Sequence, residues 1–293
     1  MPSNIIQWFP GHMAKTRRLI TECLPLVDIV IEVLDARIPV SSHNPELAKI
    51  IGQKPKLTVL SKASLADPAV SRLWREYYRA GGSDAIFYDC RKSENISAIA
   101  PAVREILGEK LDRYESKGMS GRRLKAMLVG IPNVGKSSLI NTLASTNKAR
   151  VEDRPGVTLS KQWVTTSIGI DLLDMPGVLW PKFEDKEVGE NLAITGAIKD
   201  DVLDLEQIAF LLVNRLRRTA PDKLSERYKL GDMAQYADLQ DYELFEVIGR
   251  KRGFLISGGE VNYERTANML LDEFRAAKIG RITLEAPPES KGS

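Results

Sequence analysis

Residues Gly130-Ile131-Pro132-Asn133-Val134-Gly135-Lys136-Ser137-Ser138 set two glycines, a lysine and a hydroxyl at the G-x-x-x-x-G-K-[ST] spacing. That spacing holds phosphate. The glycines let backbone N–H groups curl around an anion at a helix N-terminus, where the dipole favours negative charge. Lys136 then reaches the outer phosphates, and Ser137 offers its hydroxyl to a magnesium ion. Further on, Asp174-Met175-Pro176-Gly177 gives a carboxylate that can reach the same ion through water, and a glycine N–H that can meet the terminal phosphate. Thr158 lies between them in a polar stretch, where a threonine closing on the metal is needed. Singly these are common turn and loop residues; in this order they look like switch elements around a nucleotide.

Such residues work only if a scaffold holds them. Lys125 to Val129 is an apolar strand candidate leading into the phosphate loop, and Ser138 to Leu143 reads as the first turns of a helix. Val27 to Leu34, Leu57 to Leu60 and Ala85 to Tyr88 read as further strands. Helices are expected over Glu46 to Ile51, over Pro68 to Ala80, where Val70, Leu73, Trp74 and Tyr77 recur at helical spacing, and over Ile96 to Leu107, broken in at Pro101. Lys161 to Thr166 and Ile170 to Asp174 read as a hairpin, and Gly108 to Gly121 as a linker or a surface helix. Alternating strands and helices predict an α/β fold with a mostly parallel sheet. From about Glu187 apolar residues recur at three and four over Leu203 to Arg218, Tyr242 to Arg252 and Asn262 to Lys278, which predicts an all-α second domain. The expected division is 1–186, 187–286 and a disordered tail at 287–293.

The 293 residues carry two cysteines, Cys23 and Cys90, with no CxxC spacing. That excludes a disulfide framework, fits a reducing compartment, and reads both as small core residues. No apolar signal core or uncharged membrane span is apparent, so a soluble cytoplasmic protein is expected. Net charge is only +3, so the charge signal is local: Lys15, Arg17 and Arg18; Arg122, Arg123 and Lys125; Arg215, Arg217 and Arg218; Arg250, Lys251 and Arg252. Each cluster is either a solvated helix face or a contact for an RNA backbone.

The strand-loop units at Leu60-Ser61-Lys62-Ala63-Ser64 and Tyr88-Asp89-Cys90 precede the phosphate loop, whereas base-recognition loops usually follow it. The chain therefore reads as circularly permuted. With Trp8-Phe9-Pro10-Gly11-His12-Met13-Ala14-Lys15, Asp35-Ala36-Arg37-Ile38-Pro39, Pro155-Gly156-Val157-Thr158, Asp174 to Val178 and Gly280-Arg281-Ile282-Thr283, it resembles the circularly permuted bacterial GTPases of the ribosome biogenesis GTPase A (YlqF) type over nearly its whole length. The resemblance implies a circularly permuted P-loop GTPase domain followed by an all-α domain that helps hold rRNA. It also implies GTP binding and hydrolysis in late assembly of the large ribosomal subunit, with magnesium on Ser137, Thr158 and Asp174. A monomer without membrane attachment is expected.

Two departures matter. The family's Asn-Lys-x-Asp base loop reads Ser61-Lys62-Ala63-Ser64 here, so the carboxylate that accepts two guanine hydrogens is gone. Asp67 is a distant substitute, Lys62 can still lie along the base, and the Asp89-Cys90 backbone can still face the purine carbonyl. A second reading therefore stays open, an RNA-binding scaffold with relaxed or lost guanine choice. The residue after Gly177 is Val178, which cannot orient water. The resemblance carries that role to His12; the alternative is a histidine that caps the basic helix. Asn133 resembles the asparagine that lets potassium bind beside the phosphates, or it braces the loop. His43 reads as an ordinary surface residue. Removing the C-terminal helices is expected to leave nucleotide binding intact.

Overall fold

The computed structural model describes residues 11–83, 85–91, 95–119, 121–144, 162–180 and 183–288, with the side chains of 11–13 left out. The chain opens with α1 (Gly11–Cys23), β1 (Ile29–Asp35), α2 (Pro45–Ile51), β2 (Lys56–Ser61), α3 (Pro68–Ala80) and β3 (Ala85–Phe87). It continues through α4 (Ile99–Ile106), α5 (Gly108–Glu115), β4 (Leu124–Val129), α6 (Lys136–Leu143), β5 (Trp163–Thr165) and β6 (Ile170–Asp174). Helices alone follow: α7 (Lys186–Ile194), α8 (Leu205–Thr219), α9 (Pro221–Tyr228), α10 (Asp241–Lys251) and α11 (Tyr263–Arg275).

The six strands form one sheet in the order β3-β2-β1-β4-β6-β5, parallel except for the β5–β6 hairpin. A parallel strand covered on both faces must be apolar throughout, and all seven residues of β1 are buried. Glu32 breaks that apolar run, and two side chains hold its carboxylate. His43 Nδ1 lies 2.7 Å and Lys56 Nζ 2.8 Å from its carboxylate oxygens. Burial pushes the Glu32 carboxyl up, but the contacts with His43 and Lys56 prevail and hold it below its usual range. His43 is thus a partner of a buried carboxylate rather than an ordinary surface residue.

Pro101 does not break α4. It lies in the first turn, where a missing N–H removes no intrahelical bond. The stretch read as linker or surface helix contains α5. Cys23 is buried as expected, but Cys90 is exposed.

Helix α8 buries Ile208, Ala209, Leu212, Val213 and Leu216 against α7, α10 and α11. One apolar cluster runs continuously from Ile29 and Leu128 in the sheet to Leu212 and Phe274 in the helices. Many arginines of the last third are held by carboxylates: Arg215 by Glu187 and Glu190, Arg217 by Asp241, and Arg252 by Glu273. Among the described residues no helix is long and apolar enough to cross a membrane. In the tail, Pro287 and Pro288 are described and 289–293 are not.

Candidate functional site

The candidate residues collect where the parallel strands end. β4 delivers the phosphate loop, β6 ends in Asp174, β2 ends in Ser61, and Asp89 follows β3. In open α/β sheets this carboxyl edge is where ligands bind.

Within the phosphate loop, Gly135 has φ +107° and abuts Ser61, whose Oγ lies 3.5 Å from where a Cβ would stand. Glycine supplies both the backbone conformation and the close approach. Helix α6 then starts at Lys136, with Val134 buried and Ser137 exposed. Lys136 itself is 7 % exposed. Its Nζ donates to the carbonyls of Gly130 (3.1 Å) and Ile131 (2.8 Å). Burial pushes the ammonium down to about 8, against the pull of Asp174.

Gly177 closes over this lysine. A Cβ there would stand 2.7 Å from Pro132 Cα and 2.9 Å from Lys136 Nζ, so only glycine brings the β6 exit onto the loop. Val178 N donates to Gly130 O at 3.3 Å.

The fit of a magnesium ion rests on Asp174. Its Oδ1 is buried with no hydrogen-bond partner, an arrangement that costs free energy until a cation or ordered donor arrives. Burial raises the Asp174 carboxyl above its usual range, and Lys136 only partly offsets this. An oxygen-rich set of Ser137, Asp174 and phosphate oxygens suits this ion. The third expected ligand, Thr158, lies outside the described residues. His12 falls in α1, and its side chain is likewise outside them.

The base side is built differently from a polar turn. The buried Ser61 donates its hydroxyl to Leu34 O (2.9 Å) and to Val134 O in the phosphate loop, one proton shared between two acceptors. Serine therefore still ties the base loop to the phosphate loop. Lys62, at φ +56°, pairs with Asp35 at 3.0 Å, and Ala63 N donates to Tyr88 O at 3.2 Å. Ser64 N donates to Asp89 Oδ2 at 2.9 Å. Asp67 is not available as a substitute base reader: it caps α3 through Ala69 N and Val70 N and pairs with Lys223 at 2.7 Å.

Beside these loops lies a cavity of about 250 Å³ bordered by Lys62, Leu65, Asp89, Cys90 and Arg91. Its other wall comes from residues the sequence reading gave no role: Arg37, Thr195 and Arg275. Arg37 is 2 % exposed and forks onto Asp35 through Nε (3.0 Å) and Nη2 (2.7 Å), while its Nη1 has no partner. Burial pushes the Asp35 carboxyl up, but Arg37 and Lys62 overcome it and hold it well below the usual range. Asp35-Ala36-Arg37 stood in the sequence as a block without a chemical role; only the fold shows it beside the base loop. Asn133 reaches in the same direction, its Nδ2 donating to Gly196 O at 2.9 Å.

Phosphate binding at Lys136 would have a pH signature. The unliganded ammonium titrates near 8, whereas beside phosphates it stays charged to higher pH. At pH about 8.5 nucleotide binding should therefore take up a proton, and affinity should fall as pH rises past about 8. Calorimetry in buffers of different ionisation enthalpy measures this directly; proton-neutral binding at that pH would separate Lys136 from the phosphates.

A phosphate loop that comes after the base-side strands in the chain, yet beside them in the sheet, defines a circularly permuted P-loop GTPase. Comparisons with known proteins agree. The family described as 50S ribosome-binding GTPase matches residues 125–242. Ribosome biogenesis GTPase A of Bacillus cereus is 46 % identical over 285 residues, covering 97 % of this chain and 95 % of the relative. Mitochondrial ribosome-associated GTPase 1 of Mus musculus is 36 % identical over 300 residues, covering 96 % and 90 %. Among solved structures, GNP-bound YlqF from T. maritima aligns with a TM-score of 0.63 at 24 % identity over 94 % of this chain and 99 % of that one, a likeness of fold. The chain belongs to the ribosome biogenesis GTPase A family.

Proposed function

We propose that this GTPase acts in late assembly of the large ribosomal subunit, binding the immature particle in the GTP form and leaving after an rRNA-stimulated hydrolysis. The observation that carries the reading is the Asp174 Oδ1 without a partner facing the buried Lys136 beside the phosphate loop, a site assembled for a metal-bound polyphosphate.

In the reaction Gly130 and residues 133–138 bind the phosphates, Gly177 N–H senses the terminal one, and Lys136 exchanges its two loop carbonyls for phosphate oxygens. Ser137, Thr158 and Asp174 hold magnesium, which when bound neutralises charge at the phosphate oxygens. His12 orients the attacking water once rRNA seats the N-terminal segment, a role open to imidazole. Asn133, with its amide nitrogen engaged at Gly196, offers its oxygen to potassium. Ser61, Lys62, Ala63, Ser64, Asp89 and Cys90 frame the base. We assign 1–186 to the GTPase part and 187–286 to an RNA-binding helical part. The exposed Arg218 and Lys251 are better placed to meet rRNA than the ion-paired Arg215, Arg217 and Arg252. The protein works as a cytoplasmic monomer away from membranes.

The test is GTP hydrolysis by the purified protein in magnesium, with potassium or sodium, with and without large subunits. Stimulation by subunits, lost in His12→Ala with GDP affinity retained, is expected. Turnover unchanged by subunits would remove the assembly role, and equal rates in the two salts would remove potassium.

A further inference from the structure

We propose that the carboxylate reading the guanine edge lies on the loop after β3: Asp89, and no side chain of Ser61-Lys62-Ala63-Ser64, accepts the N1 and 2-amino hydrogens of the base. The inference rests on the GTPase reading above and names the specificity determinant of that same site.

The two loops face each other, and among their described residues Asp89 carries the one carboxylate. Ser64 N donates to Asp89 Oδ2 at 2.9 Å, and Arg91 N donates to Oδ1 at 2.8 Å. A carboxylate can accept about four hydrogen bonds, so about two places remain beside these donors. These donors outweigh burial and keep the Asp89 carboxyl below its usual range, so it is an ionised acceptor.

Asp89 borders the same cavity as Lys62 and Arg37, and Arg37 is buried with its Nη1 unpartnered. Acceptor beside donors is the complement of guanine, whose N1 and 2-amino hydrogens adjoin the O6 carbonyl. Adenine reverses the pattern and would set its N1 lone pair against the carboxylate, a repulsive element that selects against it. The serine at position 64 follows as well. An aspartate there would bring two carboxylates together where Ser64 N and Asp89 Oδ2 are now 2.9 Å apart, and one of them would have to stay protonated.

The experiment measures equilibrium binding of GDP, XDP and ADP to the full chain and to Asp89→Asn. The unsubstituted protein should prefer GDP to both others. In the variant an amide N–H₂ replaces a carboxylate oxygen and suits the xanthine 2-carbonyl, so GDP affinity should fall about 100-fold while XDP affinity rises. A ratio of GDP to XDP affinity that does not change, including an equal loss of both, assigns Asp89 to bracing the loop and overturns the proposal. Failure of the underlying reading looks different: the unsubstituted protein would not prefer GDP to ADP. If Asp89→Asn does not fold, the ¹³C shift of the Asp89 carboxylate in the unsubstituted protein decides. It should move with GDP and not with ADP; an equal response to both overturns the assignment.

Discussion

Lys136→Met is expected to lower GDP and GTP affinity by about 10²- to 10⁴-fold while leaving the unliganded fold at least as stable. The lysine would give phosphate oxygens two charge-assisted hydrogen bonds of about 1.5–3 kcal/mol each, and their loss converts to that range. Without nucleotide the same ammonium is 7 % exposed and has two loop carbonyls as partners, and burial draws it down to about 8. Its charge is thus a cost to the empty fold, and a methionine of similar volume removes that cost. Asp174 loses its cationic neighbour, and its already raised carboxyl rises further. Nucleotide titration and thermal melting of the empty protein check both halves. GDP binding within about threefold of the unsubstituted protein, or a melting point lowered by several degrees, would make Lys136 a structural residue instead.

The phosphate loop and the β4–α6 unit were legible because the chemistry dictates both residue type and spacing. The strands were legible because burial on two faces demands continuous apolar runs. What stayed hidden depends on tertiary neighbours. Ser61 looked like a shortened asparagine; that it still reaches Val134 O is visible only when β2 and β4 are brought to the same edge. Arg37 and His43 had no visible task until Asp35 and Glu32 proved to be buried beside them. The arginines of the last third read as candidates for RNA because a sequence cannot show that Glu187, Glu190, Asp241 and Glu273 face them. Helix α7 escaped notice because Gly189 and the fully buried Asn191 interrupt its apolar period. Helix α9 is short and polar, although Pro221 at its start and Asp185 at the start of α7 were usable signals.

The chain end contradicts the idea that the C-terminal helices can be removed without touching nucleotide binding. After α11 the backbone returns across the base side: Ile282 N donates to Leu65 O (3.1 Å), Leu284 N to Arg37 O (2.8 Å), and Arg281 to Ala66 O (2.9 Å) and Ala63 O (3.0 Å). Glu285 anchors this strap by accepting from Val40 N (2.6 Å), Ser41 N (3.1 Å), the Ser41 hydroxyl and Asn191 Nδ2 (3.0 Å). Glu285→Ala removes the acceptor of Val40 N, Ser41 N and the Ser41 hydroxyl, while Asn191 Nδ2 keeps Ser41 Oγ at 3.2 Å; with Ser41 buried the cost should be about 2–4 kcal/mol, a large part of a domain's stability. Burial raises the Glu285 carboxyl in spite of its donors. The charge itself therefore opposes folding, and this group alone makes the fold more stable as pH falls toward its raised value. Glu285→Gln, which keeps one acceptor and no charge, should accordingly cost less than alanine. Loosening the strap should also free Ala63, so GDP affinity measured well below the melting point should drop about tenfold in Glu285→Ala while pyrophosphate affinity holds. Equal losses for GDP and pyrophosphate would mean that the strap supports the whole fold and has no particular hold on the base loop.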